Sequence, residues 1–253
     1  MNKTPLSVLI IAENEEKNIR ECLRSVEWAD DIIVVDGGSK DATVQLAKQY
    51  TDKVLSHPWQ GFSEAKRFGL QHCTNEWVLW LDADERVPEG LAGEIQSIVT
   101  SNESAAAFAV ARRAYFLGKW IRHCGWYPGY VNRLFRKSRC RISEHKVHEQ
   151  LIVDGEIKHL KNDLLHYTDN DLEHYFKKFN EYTSLAADEI VQKGGSASII
   201  DLLIRPPFTF FRMYILRAGV LDGFHGLLLC MLSAFYVFVK YAKVWQRKLV
   251  KHT

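Results

Sequence analysis

Asp82-Ala83-Asp84 sets two carboxylates on either side of one small residue, directly after the apolar run Trp77-Val78-Leu79-Trp80-Leu81. Such a run, rich in β-branched and aromatic types and too short for a buried helix, reads as a strand covered on both faces. A rigid strand ending there delivers both acids to one spot where the backbone turns. Hard oxygen ligands of this kind suit Mg²⁺ or Mn²⁺, which keep some waters and complete their shell with substrate phosphates. The competing reading is that residues 82–85 solvate a loop and cap a helix beginning near Pro88, since Asp and Pro both favour helix starts.

The elements upstream tell which reading the chain favours. Residues 6–12 form a short apolar run, and 15–28 carry Ile19, Leu23 and Val26 at helical spacing. Residues 32–35 read as a second buried strand, ended by Asp36-Gly37-Gly38-Ser39-Lys40-Asp41, and a helix bearing Val44, Leu46 and Ala47 follows. A weak strand at 54–55, a helix over 61–72 and the strand at 77–81 continue the alternation. Repeated strand-turn-helix units mean parallel strands joined by right-handed crossovers, so the fold class is α/β, doubly wound. Ligands of such sheets bind beyond the carboxyl ends of the strands, where Glu15, Asp36, Ser39, Asp82 and Asp84 all fall. Gly37 and Gly38 permit close backbone approach, and Asp36 is placed to accept from a base or ribose group. Neither a Gly-x-Gly-x-x-Gly fingerprint nor a Gly-Lys-Ser/Thr phosphate loop is present.

Charge and cysteine usage narrow the class further. With 33 basic and 31 acidic residues among 253, no general polyanion-binding field exists, and nucleic acid is not expected as a partner. Five cysteines, odd in number and scattered, argue against a disulfide framework or zinc site and for a reducing compartment. The first apolar run is too short for a signal sequence and leads into acids, so a cytoplasmic location is expected.

Downstream, residues 105–113 form an apolar run able to cross the sheet. Tyr115, Phe116, Trp120, Trp126, Tyr127 and Tyr130 follow, interspersed with basic residues, glycine and proline. Aromatic faces stack on sugar C–H surfaces and basic groups pair with phosphates, so this loop suits a phosphorylated oligosaccharide, with core packing expected for at least half of the aromatics. From Asp169 a long amphipathic helix runs to Gly194-Gly195, and Pro206-Pro207 starts another. The apolar stretch 226–239, roughly 14 residues, falls short of the ~20 needed to span a bilayer and is expected to form a buried or interfacial hairpin. Beyond it, Lys240, Lys243, Arg247 and Lys251 share one helical face, an arrangement that suits anionic lipid headgroups. A solvated helix or a dimer seam would account for the same pattern, which leaves a homo-oligomer open.

The order Asn14-Glu15-Glu16, Val34-Val35-Asp36-Gly37-Gly38-Ser39-Lys40-Asp41, Gly61-Phe62 with Ala65-Lys66-Arg67, and Leu81-Asp82-Ala83-Asp84-Glu85-Arg86 resembles family-2 glycosyltransferases of the GT-A fold. Gly125-Trp126-Tyr127-Pro128, Arg133-Leu134-Phe135, Val147-His148-Glu149 and Leu165-His166 resemble, within that family, the lipopolysaccharide inner-core enzymes that add β-1,4-glucose to a heptose. The resemblance implies a metal-dependent inverting transfer of a hexose from a nucleotide sugar, UDP-glucose being expected. It implies a donor site at Glu15, Asp36, Ser39, Lys66 or Arg67, and Asp82. Asp84 would hold Mg²⁺ or Mn²⁺, joined by His166, although a histidine after a strand is also commonly just structural. Glu149 matches the position of the general base, with Glu144 as a competitor because the family motif usually ends in Asp. His148 would orient Glu149 or join Trp126, Tyr127 and Arg133 on the acceptor.

The implied domains are a GT-A catalytic domain at 1–168, with a nucleotide-sugar half (1–100) and an acceptor half (101–168), and a helical membrane-associating region at 169–253. A lipid-linked oligosaccharide acceptor would place the protein peripherally on the inner face of the cytoplasmic membrane. Two alternatives stay open: transfer to a polyprenyl phosphate, and a non-catalytic scaffold that binds sugar nucleotides.

Overall fold

The structure, a computed structural model, describes residues 3–58, 61–142 and 151–250, so Glu144, His148 and Glu149 lie outside the described residues. The chain divides into two compact units: Met1–Arg112 with Gly129–His166, and Arg113–Pro128 with Tyr167–Thr253.

In the first unit, β1 (Thr4–Ala12), β2 (Ala29–Asp36), β3 (Val54–Ser56) and β4 (Trp77–Asp82) run parallel in the order β3-β2-β1-β4. These strands read as continuous apolar runs because both faces are covered. Helices α1 (Ile19–Arg24), α2 (Thr43–Ala47) and α4 (Glu89–Thr100) lie with Leu6, Val8 and Ile10 on one side. Helix α3 (Phe62–His72) lies with Leu9, Ile11, Ile33 and Val35 on the other. Contact there is close: a Cβ at Gly69 of α3 would fall 2.3 Å from Leu9 Cδ1.

The chain continues through β5 (Glu85–Arg86), β6 (Ala107–Phe116), β7 (Lys119–Trp120), β8 (Gly129–Arg136), β9 (Cys140–Ile142), β10 (Leu151–Val153), β11 (Ile157–His159) and β12 (Leu164–Asp169). β8 joins β4 antiparallel, β6 follows β8, and β12 brings in β5 antiparallel with His166 opposite Glu85. That last pairing is what carries His166 to the acidic turn after β4.

At the opposite end of the parallel strands, Asp31 of β2 ties neighbouring segments together. Its Oδ2 accepts from Ser7 Oγ (2.6 Å), Thr74 Oγ1 (2.7 Å) and the Thr74 N–H (2.9 Å), and its Oδ1 pairs with Lys53 Nζ at 2.6 Å. Burial pushes this carboxyl up, but the bonds from Lys53, Ser7 and Thr74 outweigh it and hold Asp31 below the usual carboxylate range. A folded-state pKa depressed in this way stabilises the protein above the unfolded value of about 3.9, and the contribution disappears as pH falls through the folded value. Asp31→Asn is therefore expected to cost about 2 kcal/mol at neutral pH, the Lys53 share being screened by solvent. The gap from wild type should close below about pH 3.9. Urea unfolding across pH measures it, and a gap independent of pH would remove the charge from the account.

The second unit starts as a hairpin, with Tyr115 paired to Trp120, and continues into α5 (Leu172–Gln192), α6 (Ile199–Leu203), α7 (Arg205–Phe211) and α8 (Gly223–Val250). Asp171 caps α5 by accepting the His174 N–H at 2.7 Å. Phe116, Ile121, Cys124, Met213, Leu229 and Cys230 form its core. Asp222 accepts the backbone N–H groups of His123 (2.9 Å) and Arg122 (3.3 Å), tying the hairpin loop to the head of α8. This packing explains why 113–128, expected in the acceptor half, belongs to the helical unit instead.

The expected hairpin at 226–239 is not formed. Those residues are the middle of one uninterrupted 28-residue helix. No glycine or proline occurs between 227 and 250 to break it. Of the basic row expected on this helix, Lys243 and Arg247 are turned to α5, and Lys251 lies outside the described residues. Lys243 Nζ donates to Asn180 Oδ1, Thr183 Oγ1 and Ser184 Oγ, each at 2.8 Å, and Arg247 pairs with Asp188 at 3.1 Å. By length and composition the segment Gly219–Leu249 is apolar enough to cross a membrane.

Candidate active site

β4 ends at Asp82, and three residues later Glu85 opens β5, completely buried. Glu85 Oε2 accepts the Asp82 N–H at 3.1 Å, which fixes the turn. Its Oε1 lies 2.5 Å from Arg133 Nη2 and 3.8 Å from Arg112 Nη1. Arg133 Nη2 also bonds Asp82 Oδ2, and Lys66 Nζ sits 3.9 Å from Asp82 Oδ1 and 4.0 Å above the Trp80 ring. Burial by itself would raise the Asp82 carboxyl, but Arg133 and Lys66 hold it well below the usual range. Burial pushes Glu85 up, with Arg133 opposing. For Arg133, burial favours deprotonation, and Asp82 and Glu85 override it so that the guanidinium stays charged. Lys66, Arg112 and Arg133 thus set three cations against two carboxylates. The surplus positive charge borders a cleft of about 460 Å³ lined by Lys66, Trp80, Asp82, Arg112, Asn132 and Arg133. Positive charge in a partly desolvated cleft suits a phosphorylated ligand.

Beside this cluster, Asp84 Oδ2 and His166 Nε2 are 3.4 Å apart. Burial would lower His166, and its hydrogen bond to Asp84 raises it instead. Two adjacent ligands of one Mg²⁺ or Mn²⁺ ion lie about 3 Å apart, so the pair fits two corners of such a shell. Among the described residues no group of three His, Cys, Asp or Glu side chains converges. A site with two protein ligands, completed by water and diphosphate oxygens, is what Mg²⁺ takes in phosphate-handling centres.

Glu15, Asp36 and Ser39 come together at the carboxyl ends of β1 and β2, as expected from the topology. Asp36 Oδ2 accepts from the N–H of Gly38 (3.0 Å) and of Ser39 (3.2 Å), with Gly38 at φ +108°. Ser39 Oγ accepts the Asn14 N–H at 2.8 Å, and the Glu15 N–H donates to Thr43 Oγ1 at 2.8 Å. The two loops interlock into one rigid rim while Asp36 keeps lone pairs for a further donor.

Three expectations need adjustment. Of Lys66 and Arg67, only Lys66 lines the cleft; Arg67 bonds Glu64 at 2.5 Å, three residues earlier on α3. Arg133, expected to contact the acceptor, lines the cleft while bonded to Asp82 and Glu85, because the fully buried Glu85 carboxylate requires a cation beside it. Trp126 and Tyr127 belong to the second unit, where they pack edge-on against Phe116 and Trp120 at 6.3 and 5.4 Å. His148 and Glu149 lie outside the described residues. Sequence reasoning missed Glu85, Arg112 and Trp80 as parts of the site. A signal existed for Glu85, a third acid directly after Asp84, but none revealed which way it turns.

Residues 7–149 match the family profile "Glycosyl transferase family 2". The chain is 31% identical over 261 residues to "Lipopolysaccharide core biosynthesis glycosyltransferase LpsC" of Rhizobium meliloti (strain 1021), covering 98% of this chain and 95% of that protein. It is 29% identical to an "Uncharacterized glycosyltransferase" of Rickettsia felis, covering 94% and 89% respectively. Among solved structures, Mycobacterium tuberculosis glucosyl-3-phosphoglycerate synthase in complex with Mn²⁺, UDP-glucose and phosphoglyceric acid shares 25% identity over 44% of each chain, with a TM-score of 0.38. The chain belongs to glycosyltransferase family 2, and its mostly parallel sheet with an acidic turn after β4 is GT-A-like.

Proposed function

We propose that this glycosyltransferase moves glucose from UDP-glucose, with inversion, onto a heptose of the lipopolysaccharide inner core. The observation that carries the reading is the similarity, over nearly the whole chain, to a lipopolysaccharide core biosynthesis glycosyltransferase. The charge surplus of the cleft supports a nucleoside diphosphate as the donor's leaving portion.

In this reading Asp36, fixed on its own turn, accepts from the base or ribose of the nucleoside, with Ser39 and Glu15 shaping the same rim. Lys66, Arg112 and Arg133 orient the donor phosphates and favour charge building up on them. Asp84 and His166 would hold Mg²⁺ or Mn²⁺, which when bound supplies neutralisation of the diphosphate leaving group. The acceptor hydroxyl forms the new bond to the anomeric carbon from the face opposite the diphosphate. The C–O bond to phosphate breaks, and its electron pair leaves with UDP. Attack from the opposite face inverts the configuration. Glu149 takes the hydroxyl proton as general base.

Transfer from a panel of radiolabelled UDP-sugars to heptose-containing lipid A–core, with and without Mn²⁺ and beside Glu149→Gln, tests this. Metal-dependent glucose transfer lost in the variant is expected. Label entering a polyprenyl-phosphate fraction instead, or donor binding without any transfer, would overturn the acceptor assignment.

A further inference from the structure

The second unit leaves large apolar side chains in the open where packing would ordinarily hide them. Ile199 is 75% exposed, Leu221 69% and Phe224 73%, and Leu203, Phe208 and Phe211 are exposed with them. Single exposed apolar residues are ordinary, but here they recur along α6, α7, the turn at Gly219–Asp222 and the first turn of α8. Helices α6 and α7 pack along α8, with Arg205 over the Tyr241 ring at 5.2 Å. The elements themselves are firmly built. Ser198 and Asp201 form a reciprocal capping box at the start of α6, and Asp222 is buried under the hairpin loop.

Charge identifies the occupant. Between Asp201 and Asp222 there is no acidic residue, while Arg205, Arg212 and Arg217 are interspersed with the apolar side chains. Arg205 Nε reaches Asp201 at 2.5 Å; its side chain is still 58% exposed. A second copy meeting this face across a two-fold axis would set these arginines against one another. An anionic lipid surface complements all three, each basic residue near such a surface contributing favourably.

Although α8 is long and apolar, its packing argues for lying in the membrane surface rather than crossing it. From Phe235 onward α8 runs along α5, through Phe179 on Phe235 (5.5 Å), Lys243 on Asn180 and Arg247 on Asp188. Helix α5 carries Lys177, Lys178, Glu181, Asp188 and Glu189, which do not belong in hydrocarbon. The stretch of α8 before Phe235 amounts to about 18 Å of helix, against a hydrocarbon core of about 30 Å.

We propose that residues 199–224 dock the protein flat on an anionic lipid surface, with the apolar side chains in the headgroup–acyl boundary and the arginines at headgroup depth. The membrane face is then α6–α7 and the tip of α8, while Lys243 and Arg247 are turned to α5.

The test is co-sedimentation of the full chain with phosphatidylethanolamine–phosphatidylglycerol vesicles and with phosphatidylcholine vesicles, beside the double variant Leu203→Glu/Phe224→Glu. Both side chains are exposed, so circular dichroism should show an intact fold. Wild type is expected to prefer the anionic vesicles and to be released by salt, and the double variant to bind roughly tenfold more weakly or worse. Equal binding by wild type and variant, or wild type left in the supernatant, would overturn the proposal. So would a wild-type dimer in light scattering that the variant converts to monomer, since the face would then serve a second copy. Transfer to a water-soluble heptoside, unchanged in the variant, keeps this outcome separate from the fate of the glucosyltransfer reading.

Discussion

Replacing Arg133 with methionine is expected to cost roughly 3–5 kcal/mol of folding stability and to abolish transfer. The side chain is 5% exposed, and one guanidinium nitrogen serves both Asp82 Oδ2 and Glu85 Oε1. Methionine fills much of the volume and removes the charge, leaving two carboxylates in a low-dielectric site, one of them with no exposure at all. The destabilisation comes from that uncompensated charge more than from a lost contact. Arg133→Lys should recover only part of it, because a compact, strongly hydrated ammonium on a shorter stem is costlier to bury there than a guanidinium. Urea unfolding at pH 7 provides the number, and the cycle Arg133→Met, Glu85→Gln and their combination isolates the pair. If Arg133→Met unfolds within about 1 kcal/mol of wild type, the cluster relaxes into solvent and does not hold the acidic turn rigid.

The same cluster shows where reading the sequence succeeds and where it stops. Parallel strands buried on two faces have no polar alternation, so β1, β2 and β4 announce themselves as unbroken apolar runs, and the acids ending them are found automatically. Glu85 and Arg133 are a different matter. They are 48 residues apart, on strands that are not neighbours in sequence, and neither lies in a periodic pattern that says which way it faces. A charged residue in a sequence is by default solvated, and only the tertiary pairing turns these two inward. Arg133 consequently looked like an acceptor contact, when its position is dictated by the acids it neutralises. Helix α8 failed for a related reason. Lys243 looked like part of an open basic row after an apolar segment, yet a helix needs no apolar residue on the side where another helix offers oxygens, and Asn180, Thr183 and Ser184 of α5 offer them to Lys243. The site was legible where function sits at strand ends, and illegible where side chains from distant segments cancel one another's charge.

Asp84→Ala separates the two acids of the turn by role. Asp82 is occupied with Arg133 and Lys66, so its carboxylate balances cations that the fold itself supplies. Asp84 Oδ2 lies 3.4 Å from His166 Nε2, and in the proposed function it is this acid that ligates the metal. Its loss is therefore expected to leave the fold nearly as stable as before while transfer falls by about 10³-fold, the several kcal/mol that charge neutralisation of a leaving diphosphate provides. Binding gives a readout independent of turnover: calorimetry of UDP with and without Mn²⁺ should show the metal-dependent gain in affinity vanish in Asp84→Ala, weaken in His166→Ala, and survive in a correctly folded Asp82→Asn. Unchanged Mn²⁺-dependent UDP affinity in Asp84→Ala would mean that Asp84 and His166 form only an ion pair. Phosphate neutralisation would then fall to Lys66, Arg112 and Arg133 alone, a cation set already in place around the cleft and able to act without a metal.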